Sequence, residues 1–114
     1  MKKPELIIDS FGNKCWYFNG KLHREDGPAV EYADGGKSWW LNGEYHRIDG
    51  PAVEWGDGTE EWYLNGKLHR IDGPAIEWKD GIKWWYLNGK KVKEEDVIDY
   101  NITEIEYIKF VINL

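Results

Sequence analysis

The chain holds a single cysteine, Cys15, which excludes an intramolecular disulfide and suits a reducing compartment. Cys15 occupies a recurring position held elsewhere by Ser38, Glu61 and Trp84, so nothing there demands sulfur. Serine is nearly absent. Ser10 and Ser38 are the only two, and neither sits in a nucleophile elbow. Neither a Gly-x-Gly-x-x-Gly fingerprint nor a P-loop occurs, and the glycines fall at turns, so no cofactor is expected. Long apolar runs are also missing. Met1-Lys2-Lys3-Pro4-Glu5 precedes only three apolar residues, too few for an export signal or a membrane span, and a cytoplasmic location is expected. An excess of positive charge is lacking as well: the formal charge is −6. That balance disfavours binding to nucleic acid backbones or to anionic membranes. The acids are interleaved with bases and read as a solvated surface.

What the chain has is aromatics and repetition. Eight Trp, seven Tyr and three Phe supply most of the apolar surface of 114 residues. Trp16, Trp39, Trp62 and Trp85 recur every 23 residues, each followed by Asn-Gly at 19–20, 42–43, 65–66 and 88–89. His23-Arg24, His46-Arg47 and His69-Arg70 come next, then Asp-Gly-Pro-Ala at 26–29, 49–52 and 72–75. Glu31, Glu54 and Glu77, an aromatic (Tyr32, Trp55, Trp78) and Asp-Gly at 34–35, 57–58 and 80–81 complete the unit. A unit this short cannot bury a core alone and must stack on copies of itself.

Within one unit, Val53-Glu54-Trp55 and Glu60-Glu61-Trp62-Tyr63-Leu64 alternate on either side of Asp57-Gly58, the signature of a hairpin with a type I′ turn. Counting outward from that turn pairs Glu54 with Glu61 and Val53 with Trp62. It puts Val53, Trp55 and Trp62 on one face, and Ala52, Glu54 and Tyr63 on the other. Tyr32 then falls beside Lys37, and Trp78 beside Lys83. Strands are expected near 5–9, 14–19, 29–33, 37–42, 52–56, 60–65, 75–79 and 83–88. The ten-residue link from Asn42-Gly43 to Asp49-Gly50-Pro51 folds against the sheet, with Asp26, Asp49 and Asp72 as turn formers. The fold class is therefore all-β: an antiparallel β-hairpin repeat array over 1–92. A capping segment follows over 93–114. There Lys93-Glu94-Glu95-Asp96 opens an acidic first turn, and Thr103 with Glu106 has the form of a capping box. One or two short helices are expected, with a final strand as the competitor because β-branched residues are dense.

His-Arg-x-Asp contains catalytic residue types, but like atoms of successive units lie ~9–10 Å apart at ~4.8 Å per strand. Three histidines at that pitch cannot share one zinc, whose ligand nitrogens sit at ~2.0–2.1 Å, and no metal site is expected. Arginine pairing with Asp or carbonyl groups, and histidine packing on an aromatic ring, is the structural alternative. The glutamates Glu31, Glu54 and Glu77 lie at or beyond the ~9.5 Å limit of an inverting glycosidase pair. No enzyme is expected. The row Tyr17, Trp40, Tyr63 and Tyr86 falls, in this register, on the glutamate face. It is the candidate binding surface, together with Glu31, Glu54 and Glu77. Whether the links cover that row is open at this point.

Trp39-Trp40-Leu41-Asn42-Gly43 and His46-Arg47-Ile48-Asp49-Gly50-Pro51-Ala52-Val53-Glu54-Trp55 resemble MORN-type repeats, more closely the divergent MORN-like arrays of bacteria, bacteriophages and large DNA viruses. The resemblance spans roughly residues 5–92. Standard MORN units are richer in glycine and lack His-Arg-x-Asp-Gly-Pro-Ala. The resemblance implies a scaffolding or protein-binding role; membrane association, also known among such arrays, is disfavoured here by charge. Trp84-Trp85-Tyr86-Leu87-Asn88-Gly89 is also similar to choline- and cell-wall-binding repeats. The expected function is a non-enzymatic module that binds a protein partner through one sheet face, in its sharper form a phage- or bacteria-encoded inhibitor or antitoxin-like partner. The alternative is a glycan- or nucleotide-binding module using the rings as stacking platforms.

Overall fold

The computed structural model describes residues 3–112. Strands β1 (Glu5–Ile8), β2 (Lys14–Phe18), β4 (Val30–Glu31), β5 (Lys37–Ser38), β8 (Val53–Glu54), β9 (Glu60–Glu61), β12 (Ile76–Glu77) and β13 (Lys83–Leu87) pair in that order as an antiparallel meander. A second set of hairpins occupies the stretches expected to be links. β2 continues into β3 (Lys21–Leu22), β6 (Trp40–Leu41) pairs β7 (Glu44–Tyr45), β10 (Tyr63–Leu64) pairs β11 (Lys67–Leu68), and β13 pairs β14 (Lys90–Val92). Each long strand thus serves the meander with its first half and an Asn-Gly hairpin with its second.

The two dipeptide turns differ, and the difference corrects the expected register. Asn19, Asn42, Asn65 and Asn88 have φ near +50°, and each following glycine is also positive, as type I′ requires. At Asp-Gly only the glycine is positive: Gly58 has φ +96° and donates to Trp55 O, while Trp55 N–H donates to Thr59 O. That is a three-residue loop ending in a glycine bulge. The Asp57 carboxylate accepts Thr59 N–H at 2.9 Å, which holds the aspartate in an Asx turn. One extra loop residue slides the returning strand by one. Val53 faces Glu61 and Glu54 faces Glu60, so Trp62 joins Ala52 and Glu54, and Tyr63 joins Val53 and Trp55. Likewise Lys37 and Lys83 oppose Glu31 and Glu77, not Tyr32 and Trp78.

Burial follows from this register. Ala29, Ala52 and Ala75 are 0% exposed, and Val30, Val53 and Ile76 are buried behind them on the other face. Both faces of a single sheet are therefore covered. Trp16 and Trp39 flank Ala29, as Trp39 and Trp62 flank Ala52, so the small side chain leaves room for a ring on each side.

Residues from Glu94 to Ile112 form one helix, α1, rather than two helices or a strand. Asp96 at its third position accepts Lys93 N–H at 3.1 Å, the reciprocal half of a capping box. Thr103 is no cap; it lies mid-helix and its hydroxyl donates to Asp99 O. Val97 is buried at the array end, where Trp85, Val97, Ile98 and Ile102 line a narrow groove of about 250 Å³. The arginine position of this last unit is Lys93, and α1 starts directly after it and lies against β13. Among the described residues no helix is long and apolar enough to cross a membrane.

Candidate functional site

One face carries a ladder of clamped tryptophans. The guanidinium of Arg24 lies 3.9 Å from the Trp16 ring centre, Arg47 3.7 Å from Trp39, and Arg70 3.9 Å from Trp62. Each Nε–H donates to the following aspartate (Asp26, Asp49, Asp72), and each Nη1 donates to a proline carbonyl (Pro28, Pro51, Pro74). His-Arg-x-Asp-Gly-Pro is thus the wiring of one stacked cation. The aspartates, expected as turn formers, accept from the arginines.

The histidines join neighbouring units. Nδ1 of His23, His46 and His69 accepts the backbone N–H of Asn42, Asn65 and Asn88 at 2.9–3.0 Å. The ring is therefore neutral there, with its proton on Nε2. A backbone ladder runs alongside: Gly43 N–H to Leu22 O, Gly66 N–H to Tyr45 O, and Gly89 N–H to Leu68 O. His23 also packs against Phe18 and His69 against Tyr100. Burial depresses the His69 pKa below its ordinary value, because the charged ring loses water. Among the described residues no group of three or more His, Cys, Asp or Glu is placed to hold a metal ion.

Glu31, Glu54 and Glu77 lie on the clamp face within the cross-strand row Lys14, Glu31, Lys37, Glu54, Glu60, Glu77, Lys83. Glu54 also sits 3.8 Å from Arg47. The structure therefore separates the expected surface: the glutamates share a face with the clamped tryptophans, and the Tyr17, Trp40, Tyr63 and Tyr86 row lies on the opposite face. The cause is the extra loop residue at Asp-Gly.

That opposite face is the ring face. Tyr17, Trp40, Tyr63 and Tyr86 are each half-buried. The links cover the row in part, since Tyr45 of the 42–51 link packs on Trp40 and Tyr63 and leaves both rings half-exposed. Tyr45 lies 4.1 Å from Trp40 and 4.8 Å from Tyr63, centre to centre, and welds them into a continuous three-ring step. Tyr45 carries no signal in the repeat pattern, because it stands where the other units have Leu22 and Leu68. A second row, Tyr32 and Trp55, stacks at 6.0 Å, and Trp78 meets Trp84 edge-on at 4.8 Å. The Lys91 ammonium lies 3.5 Å over Trp84.

Between the two ring rows runs the position that changes from unit to unit: Cys15, Ser38, Glu61, Trp84. Ser38 is wholly buried, accepts the Trp40 indole N–H at 2.7 Å and lies 3.4 Å from the Tyr32 hydroxyl. Glu61 accepts the Trp55 indole N–H and the Tyr63 hydroxyl. Burial first, then the Glu61 hydrogen bond and charge, raise the Tyr63 pKa well above the usual phenol range, so the hydroxyl stays protonated. Burial likewise raises Tyr45 and the Cys15 thiol. This face can stack on planar or apolar groups and offers fixed polar edges. Compared with protein-family models, curated proteins and solved structures, the chain gave no match.

Proposed function

We propose that the protein is a non-enzymatic repeat module that binds a protein partner through its ring face, with Tyr17, Trp40, Tyr63 and Tyr86 as the contact row and Tyr45 completing it. The observation that carries this reading is the continuous Trp40–Tyr45–Tyr63 step of half-exposed rings. Rigid aromatic side chains lose little entropy on contact and dominate the energetics of protein interfaces. An even row on a flat sheet suits an extended surface better than a single small ligand. Glu31, Glu54 and Glu77 belong to the other face and drop out of the contact set. The resemblance to MORN-like arrays supports the same reading. A cytoplasmic inhibitor or antitoxin-like role in a phage or bacterium is its sharper form.

Affinity capture with the wild-type protein and with Trp40→Ala/Tyr86→Ala tests the proposal. The partner should be retained by the first and lost by the second, with both chains equally folded by circular dichroism. Saturable quenching of tryptophan fluorescence by a glycan or nucleotide would instead favour the ligand-binding alternative, which rests on the same stacked rings.

A further inference from the structure

Helix α1 is capped at its start and packs on the array through Val97 and Tyr100, while much of its apolar surface is exposed. Ile98, Ile102, Ile105 and Ile112 follow one another at steps of four, three and seven residues, so they share one face. They are 53%, 50%, 45% and 75% exposed. The neighbouring face begins with Val97, buried against the array, but its later members Ile108 and Val111 are 52% and 46% exposed. Ile98 and Ile102 edge the groove shared with Trp85, and the helix carries from there an apolar surface that stays largely exposed. A patch of this kind on a well-capped helix marks a contact site.

Charge says what kind of contact. Six of the chain's 21 acids and one of its 15 bases fall within Glu94–Ile112, so the helix holds five of the six net negative charges. The repeat array is close to neutral by comparison. Two such helices side by side would bring like charges together, which disfavours a second copy, and an anionic bilayer is disfavoured for the same reason. We infer that α1 is a docking helix for a partner protein's amphipathic helix whose apolar stripe is flanked by lysine and arginine. This surface lies apart from the ring face and stands whether or not that face binds anything.

The probe is a labelled synthetic helix of about five turns with leucines at heptad spacing and lysines on its flanks. A counterpart carries glutamate in place of each lysine. Fluorescence anisotropy with the full chain should show saturable binding of the lysine peptide, weakened by salt, and no binding of the glutamate peptide. Ile102→Asp/Ile105→Asp should weaken binding by about thirty-fold, the loss expected on removing a hot-spot contact. Those substitutions add negative charge, so a loss cannot come from weaker electrostatic attraction. Trp40→Ala should leave peptide binding unchanged, which separates this test from that of the ring face. Absence of binding, or equal binding by the Asp variant with its helix content intact, overturns the inference. A dimer in light scattering that the Asp variant abolishes would also overturn it, by making a second copy the occupant. Binding to lecithin vesicles in place of the peptide would overturn it in favour of a membrane.

Discussion

Gly50→Ala is expected to destabilise the array only while Arg47 is present. A Cβ built on Gly50 would lie 2.7 Å from the Arg47 guanidinium carbon and 2.9 Å from Nε and Nη1. Gly50 does not have a positive φ, so alanine brings no backbone strain and the collision is the whole penalty. The guanidinium can yield only by leaving the Trp39 ring or the Pro51 carbonyl. A partly exposed cation–ring contact contributes about 1 kcal/mol, and a charged donor on a carbonyl about 1.5–3 kcal/mol. Asp49, whose side chain is 87% exposed, adds little. Arg47→Ala should therefore cost about 2–4 kcal/mol. Gly50→Ala cannot exceed that figure, because the arginine can always swing out, and about 1–3 kcal/mol is expected. The double variant should cost no more than Arg47→Ala alone and could gain about 0.4–1 kcal/mol from the stiffer unfolded chain. The coupling, about 1–3 kcal/mol, is read from urea unfolding followed by tryptophan fluorescence, at unchanged slope. The other units supply an internal scale. The approach is 3.1 Å at Gly27 and 2.6 Å at Gly73, so Gly27→Ala should be the mildest of the three. Strict additivity, or Gly27→Ala proving the worst, would refute the clamp as drawn.

Acid should loosen the array through His69. Its folded pKa is depressed, so the native state binds the proton less readily than the unfolded chain, whose histidine titrates near 6.5. The stabilising effect is complete above that value and is lost as pH falls through the folded pKa. Melting temperature should fall from about pH 7.5 to 5.5, and fall less in His69→Asn; equal declines would sink the assignment. Asn65→Ala, placing alanine at φ +50°, should cost about 1–2 kcal/mol, whereas Asn65→Gly should be nearly neutral in the same unfolding assay. Glu61→Ala should cost about 1–3 kcal/mol, because the Trp55 N–H and the Tyr63 hydroxyl lose their acceptor. Glu61→Gln should recover most of that loss, and failure to do so would argue against the acceptor role.

The recurrence of Trp16, Trp39, Trp62 and Trp85 was enough to determine an array of hairpins with like residues in rows, and the meander has that order. Turn chemistry could also be read at Asn-Gly, because two successive positive φ values leave few residues to choose from. It failed at Asp-Gly, where the same dipeptide class admits either a two-residue turn or a three-residue loop with a bulge. The side-chain period of a strand is two, so that single residue decided which face Tyr63 and Glu54 each occupy. The second hairpin layer was also hidden, since two-residue strands such as Lys67–Leu68 carry no alternation to detect.

The rows, their spacing and the turn at each Asn-Gly were thus legible in the order of the amino acids. What the rows face follows from long-range packing. His46 reaches Asn65 across 19 residues, Arg47 meets Trp39 through a folded link, and Tyr45 fills the gap between two rings of different units. Periodicity records intervals along the chain, whereas these contacts depend on which neighbour the stacked unit brings within reach.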